Sequence, residues 1–175
     1  MPEKRKRYFL KSKEAKALLQ IAQEKLRVSP EQLLGDKIEV EVLEVESSKI
    51  IILNGKPALF ETDGRICPTL KFEEFFRLAP KAVVDMGAIP FVCKGANVMA
   101  PGIRRLEGEF QRNNIVYVVD EKYGKPLAVG ETLYDTEEMR KIKQGVVIRN
   151  LHYVGDRIWN AIKEADFKDF LNAKA

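Results

Sequence analysis

Two dipeptides, Asn54-Gly55 and Asp63-Gly64, limit how the first part of this chain can fold. Each is the two-residue connection of a tight β-hairpin, whose central positions need a positive φ that Asn, Asp and Gly tolerate. An apolar run over 50–53 enters the first turn and residues 57–60 leave it, which predicts an antiparallel meander. Upstream, Ile38, Val40 and Val42 alternate with Glu39 and Glu41, the pattern of a half-buried strand. Before that, a helix is expected over 13–27, with Ser12 as its cap and Ala15, Leu18, Leu19, Ala22 and Leu26 on one stripe. Ser29-Pro30 starts a second short helix, with Ser29 as cap and Pro30 at its first position, and Gly35 ends it. A third short helix, over 71–78, carries Phe72, Phe75 and Phe76. Residues 1–78 therefore read as a small α+β domain, one helix packed on a meander.

Pro80 marks the expected boundary, and residues 79–157 read as a second domain of short strands. Val83-Val84 leads into Asp85-Met86-Gly87-Ala88, and residues 89–92 follow. The glycine-bearing turn Lys94-Gly95-Ala96-Asn97 comes next, and residues 98–100 have room for one helical turn before Pro101-Gly102 stops it. Strands are expected over 106–110 and 115–119, joined at Asn113-Asn114, and again over 125–129. Asp135 with Glu138 forms a capping box for a helix to about Gln144, closed by Gly145. A last strand spans 146–148 and 151–154. Short strands with glycine turns and two short helices suggest a nearly closed β-barrel. Residues 158–175 read as a tail, with Ile162, Phe167, Phe170 and Leu171 suited to a short helix and Trp159 packing against the barrel.

Composition removes several function classes. With 30 basic and 26 acidic residues among 175, the net charge is +4, too small by itself to establish a nucleic-acid partner. The 45% hydrophobic content is that of a globular chain. Local patches carry more: a basic cluster at Lys4, Arg5, Lys6 and Arg7, and an acidic stripe at Asp36, Glu39, Glu41, Glu44 and Glu46. The start has no apolar signal region and no stretch is long enough to span a membrane, so a cytoplasmic, reducing setting is expected. Cys67 and Cys93 fit no metal spacing and read as buried free thiols.

No constellation for catalysis stands out. The single histidine, His152, reads as a partly exposed strand residue. There is no metal-ligand cluster, Walker loop or dinucleotide-binding glycine motif, so no cofactor is expected. Asp85 sits where a strand-end catalytic aspartate would, but its expected work is to hydrogen-bond the backbone of its own turn.

Residues 87–103 carry the most functional information. Gly95 permits positive φ and close backbone approach, the turn beyond it is expected to expose N–H groups at a helix start, and Arg104 and Arg105 add charge. Small residues, free N–H groups and cations together suit a sugar-phosphate backbone. On this reading, Gly95→Val is expected to block the nucleic-acid strand without unfolding the barrel.

The run Lys94-Gly95-Ala96-Asn97-Val98-Met99-Ala100-Pro101-Gly102 resembles the signature of the PUA domain, named for pseudouridine synthases and archaeosine transglycosylases. Ala128-Val129-Gly130 and Lys143-Gln144-Gly145-Val146 sit where that domain has them. The resemblance continues outside it: Leu53-Asn54-Gly55, Leu59-Phe60, Pro68-Thr69-Leu70 and Asn150-Leu151-His152-Tyr153 look like the malignant T-cell-amplified-sequence family, which includes the N-terminal part of ligatin, in an archaeal-like form. It covers about residues 8–160.

The resemblance implies an α+β pre-PUA domain followed by a PUA pseudo-barrel of mostly antiparallel β-structure with two short helices. It implies a non-catalytic RNA-binding protein that meets the acceptor CCA end of tRNA on the small ribosomal subunit, in translation initiation or recycling. An initiation-factor-like protein partner is implied as well. The RNA surface it implies is Lys94, Gly95, Ala96, Asn97, Met99, Pro101, Gly102, Arg104 and Arg105, with Arg149, His152 and Tyr153 beside them. Two other readings remain: an accessory RNA-binding subunit of an RNA-modifying enzyme, and a protein–protein module using the acidic stripe.

Overall fold

The computed structural model describes the backbone of residues 5–173 and side chains as far as residue 165. Lys4 of the basic cluster and the side chains of Phe167, Phe170 and Leu171 lie outside the described residues. The chain divides into two compact units, one formed by Met1–Phe75 with Asn160–Ala175 and the other by Phe76–Trp159.

In the first unit, strands β1 (Arg7–Phe9), β2 (Val40–Val45), β3 (Ser48–Leu53), β4 (Lys56–Thr62) and β5 (Arg65–Pro68) form an antiparallel sheet in sequential order. The hairpin reading holds at both dipeptides. Leu53 pairs with Lys56 across Asn54 (φ 49°) and Gly55 (φ 81°), and Thr62 pairs with Arg65 across Asp63 (φ 53°) and Gly64 (φ 75°). Ile50, Ile51, Ile52 and Leu53 are all buried; successive side chains point to opposite faces, so both faces of β3 are covered here.

Helix α1 (Ser12–Leu26) lies against β5 and buries Leu19, Ala22 and Leu26 along one face. Ser12 is not its cap: it is already helical, and Lys11 holds the cap position with no side-chain hydrogen bond. Helix α2 (Pro30–Leu34) follows the expected grammar, because Ser29 Oγ accepts the Gln32 N–H at 3.2 Å, Pro30 is in its first turn and Gly35 takes φ 94°. The N-terminal cations are engaged locally. Arg7 pairs with Glu41 of the acidic stripe, and Arg5 lies 3.4 Å from Glu164. Tyr8 donates to Glu44, and both burial and that carboxylate push its hydroxyl pKa up. Helix α3 (Glu73–Leu78) spans the division between the units.

The second unit is a six-stranded sheet. Its strands are β6 (Lys81–Val84), β7 (Val98–Met99), β8 (Ile103–Glu107), β9 (Ile115–Asp120), β10 (Pro126–Thr132) and β11 (Val146–Tyr153), in the spatial order β7-β11-β10-β9-β6-β8. The two edge strands β7 and β8 are consecutive in the chain, joined only by a 3-10 turn at Ala100–Gly102. A sheet whose opposite edges are three residues apart must curl, and this is the expected pseudo-barrel.

The curl encloses Ala82, Val84, Val98, Val116, Val118, Ala128, Val147 and Ile148, with Phe110 and Met139. Tyr117 is wholly buried and meets Phe76 edge-on at 5.0 Å; burial pushes its hydroxyl pKa far up. Lys81 donates to the Phe76 and Ala79 carbonyls, and burial lowers its pKa.

Three expectations for this unit need correction. Residues 106–110 and 115–119 are not a hairpin: β8 ends at Glu107 and β6 lies between β8 and β9, parallel to β9. Residues 98–100 do not begin a helix, because Val98 and Met99 pair with Ile148 and Val146 as strand β7. The helix lies earlier, as α4 (Ile89–Val92), after a 3-10 turn at Met86–Ala88. Asp85 Oδ1 accepts the Ala88 N–H at 2.9 Å, so it does hold its own turn. Asp135 caps α5 (Thr136–Lys141) through the Glu138 N–H, although this helix stops short of Gln144.

A last helix, α6 (Arg157–Ala173), is preceded by Asp156, whose Oδ1 accepts the Trp159 N–H; the Trp159 side chain is half-buried. Cys67 is buried and Cys93 half-buried, both free thiols; burial pushes the Cys93 pKa up. No helix among the described residues is long and apolar enough to cross a membrane.

Candidate nucleic-acid interface

The glycine-bearing turn is the C-terminal end of α4, not the start of a helix. Gly95 N–H donates to Val92 O and Ala96 N–H to Phe91 O, both at 3.0 Å, while Gly95 takes φ 96°. These paired bonds with a left-handed glycine are a Schellman motif. The N–H groups of Cys93, Lys94, Gly95 and Ala96 all point back into helix carbonyls. The expected phosphate cradle at a helix N-terminus is therefore absent at this turn.

Gly95 also packs closely. A Cβ there would lie 3.0 Å from Cε1 of Tyr153 and 3.3 Å from its Cζ and hydroxyl oxygen. The missing side chain makes room for a tyrosine ring of this protein.

The turn is stapled to β11 by one amide. Asn150 Nδ2 donates to Val92 O and Ala96 O, both at 3.0 Å, and the Asn150 backbone N–H donates to Asn97 Oδ1 at 2.9 Å. Asn150 belongs to a motif visible in the sequence, yet nothing local marked it as the anchor of a turn more than fifty residues earlier.

In place of the cradle there is an apolar groove of about 520 Å³. Ala88 lines it from the 3-10 turn before α4, Phe91 from α4, Ala96 and Asn97 from the glycine-bearing turn, Met99 from β7, and Pro101 and Gly102 from the 3-10 turn after β7. Phe91 is 66% exposed and Met99 47%, an unusual outlay of large apolar side chains on a surface. Of the candidates, Ala96, Asn97, Met99, Pro101 and Gly102 line this groove; Phe91, its largest side chain, was missed. Its signal in the sequence was an aromatic residue on a four-residue helix too short to bury both faces.

Lys94 is exposed beside the groove. Arg104 and Arg105 lie on β8, where neighbouring residues would ordinarily face opposite ways. A bulge changes that: Val83 pairs with Arg105 and Val84 with Ile103, so Arg104 is the extra residue. Ile103 and Leu106 both pack on the core, and both arginines are exposed. Arg104 lies 3.1 Å from Glu121 and Arg105 3.1 Å from Glu107, exposed pairs that contribute at most about 1 kcal/mol each.

The β11 candidates sit differently. Arg149 is exposed but bound to the buried carboxylate of Glu131. Tyr153 is half-buried under Gly95. His152 is 0% exposed, and its Nδ1 lies 2.8 Å from Asp156 Oδ2. The reading of His152 as a partly exposed residue at an RNA surface is thus corrected. Leu151 is the extra residue of a second bulge, where Val129 pairs with His152 and Gly130 with Asn150, and the bulge turns the imidazole inward.

Comparison with known proteins agrees with this architecture. A family model described as PUA domain matches residues 80–154, and one described as domain of unknown function (DUF1947) matches residues 6–72. The uncharacterized protein MJ1432 of Methanocaldococcus jannaschii is 38% identical over 164 residues, covering 90% of this chain and 98% of that protein. Translation machinery-associated protein 20 of Saccharomyces cerevisiae is 30% identical over 138 residues, 74% of this chain and 76% of its own. Human malignant T-cell-amplified sequence 2 is 31% identical over 135 residues, 74% and 75% of the two chains.

Among solved structures, a PUA-domain protein of Aeropyrum pernix crystallised with tartrate superposes with a TM-score of 0.80 at 29% identity, over 91% of this chain and 92% of that one. Neither family model describes an enzyme, and the PUA domain is an RNA-binding fold. The chain joins a DUF1947 domain to a PUA domain and belongs to the family of translation machinery-associated protein 20 and the malignant T-cell-amplified sequence proteins.

Proposed function

We propose that this protein is a non-catalytic binder of tRNA that receives the single-stranded acceptor CCA end in the groove between α4 and the Ala100–Gly102 turn. It acts in the cytoplasm on the small ribosomal subunit, in translation initiation or recycling. The observation that carries the reading is the groove itself: an apolar trough with Phe91 and Met99 exposed on its walls. Unpaired bases bury their faces on such side chains, whereas a paired stem keeps its bases stacked inside. Lys94, Arg104 and Arg105 are exposed cations close in sequence to the groove walls, placed to meet phosphates. The names of the relatives from yeast and human support a place in translation. The domain division at residues 78/79 and near 157 belongs to the same proposal.

The test is a fluorescence titration with intact tRNA and with tRNA lacking its terminal CCA. Intact tRNA is expected to bind at least tenfold more tightly. Phe91→Ala with Met99→Ala should remove about 1–3 kcal/mol per stacked base while leaving the melting curve in place, since both side chains are exposed. Arg104→Ala with Arg105→Ala should lower the slope of log affinity against log salt by about 0.7 per lost phosphate contact. Equal affinity for the two tRNAs would overturn the proposal.

A further inference from the structure

The geometry points to a second RNA contact on the same unit: the loop between β9 and β10, with Tyr123 as a stacking platform for a nucleotide leaving the groove and Lys122, Lys125 and Arg104 as its phosphate partners. This rests on the groove reading above and extends it.

The loop is built to hold its shape. Asp120 is buried at its base, and its carboxylate accepts the N–H groups of Lys122, Tyr123 and Lys125, while its carbonyl accepts the Gly124 N–H at 3.0 Å. Burial alone would raise the Asp120 pKa; those backbone donors outweigh it and hold the group below its ordinary value, so the anchor is ionised at neutral pH. On this fixed loop Tyr123 is 65% exposed, although tyrosine rings are usually at least half covered. Lys122 Nζ stands 5.2 Å from the ring centroid and Lys125 Nζ 5.8 Å. An exposed aromatic ring flanked by two cations, on a loop whose backbone Asp120 holds, has the chemistry of a single-strand binding surface.

The loop is also joined to the groove. Glu121 N–H donates to Val84 O at 3.0 Å, Glu121 Oε1 accepts the Met86 N–H, and Oε2 lies 3.1 Å from Arg104 Nε. Asp85 and Gly87, on either side of Met86, line the groove. One acidic side chain therefore links the start of the groove, the first arginine of β8 and the tyrosine loop. On the proposed reading, a strand that leaves the groove near Asp85 passes Arg104, which Glu121 holds, and reaches the loop that carries Tyr123 two residues further on. The charge around the ring suits a phosphate backbone and disfavours a basic protein partner.

The test compares the trinucleotide CCA, which fills the groove alone, with a dodecamer RNA ending in CCA, each titrated against the full chain, Tyr123→Ala, Tyr123→Phe, and Lys122→Ala with Lys125→Ala. Tyr123→Ala is expected to weaken the dodecamer about tenfold, the order of one base stack, and to leave the trinucleotide unchanged. Tyr123→Phe should bind both like the native chain. The double lysine variant should lower the salt slope for the dodecamer only. Native dodecamer affinity in Tyr123→Ala would overturn the platform while the groove stands, and would leave the loop to a protein partner. Failure of the native chain to bind either RNA would overturn groove and platform together.

Discussion

Replacing Gly95 with alanine separates two reasons for a glycine at that turn. The first is conformational. At φ 96° the residue lies in the left-handed region, where a side chain costs about 1–2 kcal/mol. The second is contact. The new Cβ would stand 3.0 Å from Tyr153 Cε1, so the ring must retreat by a few tenths of an ångström. Tyr153 packs on the core, and its backbone N–H is tied to Asp156 at 2.9 Å, so the ring gives by leaving its rotamer, at about 0.5–1.5 kcal/mol.

The expected loss is therefore about 1.5–3.5 kcal/mol in the native background. In a Tyr153→Ala background the contact vanishes and only about 1–2 kcal/mol remains. Trp159 is the only tryptophan and lies within the unit of residues 76–159, so its fluorescence in urea follows the right part of the molecule. A native urea midpoint for Gly95→Ala would refute the backbone argument. An equal loss in both backgrounds would refute the contact. Gly95→Val adds a branched side chain to the same strain, so any loss of RNA binding in it should come with a loss of stability, contrary to the expectation drawn from sequence.

Asn150→Ala removes the two side-chain hydrogen bonds that hold the turn to β11, leaves the backbone bond to Asn97, and should cost about 1–2 kcal/mol, toward the low end of two hydrogen bonds because Val92 O keeps the Gly95 N–H. Faster amide exchange at Gly95 and Ala96, by about 5–30-fold, would register it. Acid should destabilise the unit of residues 76–159 through Asp120. Its folded pKa lies below 3.8, so its contribution is complete above about pH 5 and disappears as pH falls through that folded value. Urea midpoints should hold from pH 7 to 5 and drop below pH 4, and Asp120→Asn should flatten that drop.

Features set by neighbouring residues were legible in the sequence. The turns at Asn54-Gly55 and Asp63-Gly64, the Ser29 and Asp135 caps and the self-bonded Asp85 turn each depend on contacts within a few positions. What escaped was set by partners far along the chain. Val98-Met99 before a proline reads as a truncated helix until β11 supplies its strand partner. Residues 106–110 and 115–119 read as a hairpin because nothing local shows that β6 intervenes. Two bulges decided the site residues. The extra residue at Arg104 leaves both arginines outward, and the one at Leu151 buries His152; a shift of one residue in register exchanges the faces of a strand. Residues of 96–102 do line a groove, but the turn at Gly95 was read as a helix start when it is a helix end, because a glycine that ends a helix and a glycine that cradles phosphate look alike in sequence.

The position of the groove follows from how the sheet closes. Strands β7 and β8 are its two edges, and the Ala100–Gly102 turn that joins them is pinned on both sides, by Ala100 N–H to Gly145 O at 2.9 Å and Asp85 N–H to Gly102 O at 3.0 Å. Pro101, Gly102 and Met99 line the groove from this seam. An edge strand has a strand neighbour on one side only, so the seam brings backbone polar groups and exposed apolar side chains to the same place. On the proposed reading that pairing is what an unpaired RNA end requires: faces for its bases and polar groups for its sugars, with the cations of β8 beyond. Widening the seam breaks those two pinning bonds. The same bonds that close the sheet therefore set the width of the groove, and a variant that loosens them should bind RNA less tightly even with every groove side chain in place.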